Sequence, residues 1–70
     1  MTPLAHATPH QRQALEAYVA TGSIKAAASQ LGIKEQAARH RLQALYRRTG
    51  LRNVAEAAYW LGWEKSRVAA

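Results

Sequence analysis

Gly22, Gly32 and Gly50 cut this chain into short apolar-periodic segments, and polar capping residues open most of them. A chain punctuated this way folds into short helices joined by tight turns. Thr8-Pro9-His10-Gln11 starts the first segment. Thr8 suits the N-cap, Pro9 the first helical position, and Gln11 completes a capping box. Ala14, Leu15, Tyr18 and Val19 follow at helical spacing and predict an inward stripe, closed by Thr21-Gly22. Ser23 caps a second, short helix in which Ile24, Ala27, Ala28 and Leu31 fall at i, i+3, i+4 and i+7. Gly32 is expected to close it in a left-handed conformation, with Ile33 plugging the core from inside the turn. A third helix is expected from Lys34 or Glu35 to Arg48 or Thr49. Ala38, Leu42, Leu45 and Thr49 mark its inner face. Gln36, Arg39, His40, Gln43 and Arg47 mark its outer face. Asn53-Val54-Ala55-Glu56 reads as a second capping box and opens a fourth helix, with Val54, Ala57, Ala58 and Leu61 inward; either Gly62 ends this helix or Trp63 to Arg67 continue it.

No stretch alternates with strand period, so the expected fold class is all-α: a small four-helix domain with a helix-turn-helix. Residues 1–7 are expected to form a flexible arm, 8–62 the folded domain and 63–70 a C-terminal extension. Of the 70 residues, 34 are apolar, but 16 of those are alanine. A core of this size supplies about 3–5 kcal/mol of net stability and leaves no room to enclose a substrate, so an enzyme is not expected. The absence of cysteine excludes disulfides and thiolate metal sites. His6, His10 and His40 lack partners at ligand spacing, so neither a metal nor a cofactor is expected. No apolar run approaches the roughly 20 residues of a membrane span. The N-terminus lacks the pattern of a signal peptide, and a cytoplasmic protein is expected.

Charge points toward a partner. Ten Lys and Arg oppose four acidic residues, for a net charge of +6. Lys34, Arg39, Arg41, Arg47, Arg48 and Arg52 face only Glu35 within their own stretch, so +5 of that charge falls between positions 34 and 52. A cluster of this kind is the footprint of polyanion binding. A short helix, a Gly turn and a longer basic helix also make the arrangement in which one helix crosses the phosphate backbone and the next enters the major groove. Gln36, Arg39, His40 and Gln43 are the candidates for base contact, Arg39 through a bidentate pair with guanine. Ser23, Lys25, Lys34 and Arg47 are the candidates for phosphate contact. Arg47 and Arg48 have an alternative role capping the carbonyls at the end of the third helix. Arg41, at the edge of the apolar stripe, is expected to meet Glu16 or Glu56. Val54, Trp60 and Trp63 on the fourth helix are candidates for a partner surface.

Three stretches carry a resemblance: Thr8-Pro9 with Ala14-Leu15, then Lys25 to Ile33 (Lys-Ala-Ala-Ala-Ser-Gln-Leu-Gly-Ile), then Arg47 to Ala57 (Arg-Arg-Thr-Gly-Leu-Arg-Asn-Val-Ala-Glu-Ala). Over about residues 7–62 the chain resembles the LuxR/GerE-type DNA-binding domain. The resemblance implies four helices, a third helix that reads double-stranded DNA, and a fourth that mediates a homodimer. Most members of that family also carry a sensor or receiver domain; this chain departs from them in having none, and is expected to be a stand-alone version of the kind found in bacteriophages and mobile elements. The expected function is that of a sequence-specific transcriptional regulator. The alternative is a protein-interaction module on the same fold that binds RNA polymerase or a host regulator.

Overall fold

A computed structural model of the chain describes the backbone of residues 2–69 and the side chains of residues 2–67. Four helices follow one another: α1 (Pro9–Thr21), α2 (Ile24–Leu31), α3 (Glu35–Thr49) and α4 (Val54–Ala69). A 3-10 turn over Pro3–His6 precedes them. No strand occurs among the described residues, and no described helix is long and apolar enough to cross a membrane.

Local chemistry sets the boundaries. The Gln11 amide donates to Thr8 Oγ1 at 3.2 Å while the Thr8 amide donates to Gln11 Oε1 at 3.0 Å, which is the expected box. Ser23 Oγ accepts from the Ala26 amide at 3.0 Å and starts α2. Gly32, at φ +70°, ends it. The Gly32 amide donates to Ser29 O at 3.2 Å and the Ile33 amide to Ala28 O at 3.0 Å, a Schellman closure that an L-residue at position 32 would strain. At α4, Asn53 Oδ1 accepts from the Glu56 amide at 3.0 Å, but Glu56 Oε1 reaches past Asn53 to the Arg52 amide at 2.7 Å. The predicted reciprocal box is therefore half formed, with its second bond displaced by one residue.

α1 packs on α2 and α3, α2 packs on α3, and α4 packs on α1. Leu15, Leu42, Leu45, Ala57 and Leu61 meet in the core. Tyr18 and Tyr46 lie against it, and burial, with Tyr18 adding, pushes the Tyr46 phenol above its ordinary pKa. Among the predicted core positions, Val19 and Ile33 lie elsewhere and Ala58 is half-buried outside the core cluster. Val19 is exposed because the inner stripe of α1 runs through Ala14, Leu15 and Ala17. Ile33 is half-buried and outside the core cluster, since its backbone closes the turn beyond the end of α2.

The N-terminal segment is not a free arm. Leu4 is fully buried and the 3-10 turn packs on α3 and α4. Arg12 Nη1 donates to Leu4 O at 3.1 Å, and Arg48 Nε donates to His6 O at 2.8 Å. Met1 lies outside the described residues. α4 runs on through Gly62, the second of the two ends that the sequence left open. That continuation brings Glu64 to Arg12 at 2.6 Å and to the Thr2 hydroxyl, contacts that offset the roughly 1 kcal/mol cost of a mid-helix glycine. The expected extension at 63–70 is thus, through residue 69, the second half of α4; Ala70 lies outside the described residues.

Candidate nucleic-acid interface

α3 has two opposed faces. Ala38, Leu42 and Leu45 are buried, and they lock the helix in one rotational setting. Gln36, His40, Gln43 and Arg47 recur at i, i+4, i+7 and i+11 and are all exposed. Each of the first three precedes a buried residue by two positions, about 200° around the helix, so the row points away from the core. Ala37 and Ala44, each half-buried, border this row.

Arg39 occupies the flank, about 90° from the core direction. One of its guanidinium nitrogens lies 3.9 Å from the Glu35 carboxylate, and the two side chains are 54% and 51% exposed. An ion pair this exposed contributes little, so Glu35 does not hold Arg39 in place. Of the four base-contact candidates, three share the outward row and Arg39 stands beside it.

An open groove of ≈ 450 Å³ runs along the first half of α3, lined by Lys34, Gln36, Ala37, His40 and Arg41. Lys34 sits at the N-cap of α3, where it offers no acceptor, so no side chain caps this helix. Arg41 is half-buried and forms no ion pair with Glu16 or Glu56 among the described residues. Glu56 is engaged with the Arg52 amide, and Arg41 instead joins the wall of the groove. Lys25 and Arg47 are exposed, and the Ser23 hydroxyl keeps its proton to donate while its oxygen caps α2. Arg48 does not cap α3; it is tied to the N-terminal segment. Among the described residues, no three His, Cys, Asp or Glu converge to hold a metal ion.

A separate aromatic surface lies on α4. Val54 and Trp60 pack against the core, whereas Trp63 is 37% exposed. Tyr59, which the sequence reading left unassigned, is 65% exposed. Its position two residues from both Ala57 and Leu61 was the available signal. Tyr59 and Trp60 meet edge to face at 5.3 Å, Trp60 and Trp63 at 5.8 Å, and the Arg67 guanidinium lies 4.8 Å from the centre of the Trp63 ring. No family model, no curated protein and no solved structure matches this chain.

Proposed function

We propose that this chain is a sequence-specific double-stranded DNA-binding regulator in which α2, the Gly32 turn and α3 act as a helix-turn-helix. The observation that carries the reading is the outward row Gln36, His40, Gln43 and Arg47 on a helix whose opposite face is anchored in the core. Side chains with long or planar donors, held in one register, are what a helix needs to read base edges in the major groove. Lys25 and Ser23 at the start of α2, Lys34 at the start of α3 and Arg47 toward its end supply phosphate contacts on this reading. Arg39 adds a cation on the flank. The residues that resemble the LuxR/GerE-type domain support the same assignment. The protein then performs no chemistry and acts in a bacterial cytoplasm by occupying DNA.

The exposed Tyr59 and Trp63 favour a second reading, in which α4 binds a protein: another copy of the chain, RNA polymerase or a host regulator. Amide and side-chain chemical shifts, recorded as a random-sequence duplex is titrated in, separate the two. The DNA reading predicts that the largest changes fall on residues 34–47 and on the start of α2. Changes confined to Tyr59–Arg67, or none at all, would leave α4 as the working surface.

A further inference from the structure

Gln36-Ala37 and Gln43-Ala44 are the same dipeptide repeated seven residues apart, and both copies lie on or beside the outward row of α3. Seven residues make two turns, about 10.5 Å along the axis, so the second pair stands almost directly above the first. Each pair places an amide next to a methyl group. A glutamine amide donates and accepts in the pattern that matches N7 and the N6 amino group of adenine. An alanine methyl in the groove matches the C5-methyl of thymine. The two halves of the dipeptide therefore suit the two halves of an A·T pair.

The arginines that would read guanine are placed otherwise. Arg39 lies on the flank, Arg41 is half-buried in the groove wall, and Arg48 is bonded to His6 O. Arg47 belongs to the outward row but stands about 16 Å along the axis from Gln36, near the end of α3, where it meets backbone rather than base edges.

We infer that α3 is built to read A·T pairs, through two amide–methyl pairs (Gln36-Ala37 and Gln43-Ala44) that address base pairs two or three steps apart. This rests on the proposed DNA-binding function and names the sequence class that the same face selects. The thymine methyl is the sharpest test, because uracil removes it from the DNA and leaves the protein untouched.

The full chain is used to select bound duplexes from a random pool, and the enriched site is resynthesised with uracil for thymine, one position at a time. The expected outcome is a site with two A·T pairs two or three steps apart. Uracil at one of them weakens binding about three- to fivefold, the effect of exposing one buried methyl group. In Ala37→Gly or Ala44→Gly, checked for helicity, the penalty at the corresponding thymine disappears. Gln43→Ala loses roughly tenfold or more of its preference for adenine over guanine at one position. An enriched site built on G·C pairs, or one indifferent to uracil, would overturn this inference and leave DNA binding intact. A pool that yields no enriched sequence and no retained duplex would overturn the DNA reading itself.

Discussion

Glu64 gathers three parts of the chain. Its carboxylate accepts from Arg12 on α1 and from Thr2 in the N-terminal segment, while its own backbone belongs to α4. The Arg12 hydrogen bond holds the carboxyl below the usual glutamate range, with Thr2 and the Arg12 charge assisting, against the opposing effect of burial. A carboxyl whose folded pKa is lowered contributes stability above its unfolded value, about 4.3, and loses it as pH falls through the folded value. At neutral pH, Glu64→Gln should cost about 1 kcal/mol, a midpoint shift of roughly 4–8 °C in a domain this small. Thermal unfolding from pH 7 to pH 2 should bring the two curves together in acid. A constant gap across that range would remove the charge from the explanation. Leu4, beneath the same segment, makes a second case. Leu4→Ala should cost about 2–5 kcal/mol, most of the net stability of a 70-residue chain, measurable as a shifted urea midpoint. A free N-terminal arm would show no change. Neither residue announces its role in the sequence. Thr8 and Ser23 cap partners three residues away, so their chemistry is visible locally, whereas Glu64 meets Arg12 across 52 residues. Nothing in the short stretch around Leu4 reveals a distant pocket.

At the scale of the element, α3 was the most legible helix and α4 the least. The inner positions Ala38, Leu42 and Leu45 follow from periodicity alone, and once they are fixed the outward row follows too. The position of Arg39 is finer than that two-face division: a residue 90° from the core counts as outward in a pattern, yet in three dimensions it stands beside the outward row. That placement makes a prediction. Arg39→Ala and Lys25→Ala should each weaken all duplex sequences alike and reduce the salt slope by about one contact. Gln43→Ala should instead relax the choice among sequences. Competition binding against a panel of single-base variants distinguishes them, and a flattened preference in Arg39→Ala would return that residue to base reading. At α4 the sequence left two ends open, a stop at Gly62 or a continuation through Trp63 to Arg67. The helix continues through Gly62, since Trp60 packs on the core before it and Glu64 reaches Arg12 beyond it.

For the molecule as a whole, shape and charge divide the work. Four helices and the N-terminal segment hold the core, and α3 contributes one face to that core while offering the other to solvent. The +5 of charge between positions 34 and 52 is carried by side chains that are mostly exposed, with Glu35 the only carboxylate in that stretch. On the proposed reading, affinity for duplex DNA depends on counterion release and falls as salt rises. The fold class was readable because caps and periodicity are local signals. The docked N-terminus and the Tyr59 surface were not, because both depend on how helices distant in sequence are arranged. The central claim is tested most directly by the affinity of the whole chain for duplex DNA from 50 to 200 mM salt. With about four phosphate contacts, from Lys25, Lys34, Arg39 and Arg47, log Kobs should fall linearly against log salt with a slope of roughly −3 to −4. A flat dependence, or no retained duplex at 50 mM, would contradict the assignment of α3 as a DNA-reading helix.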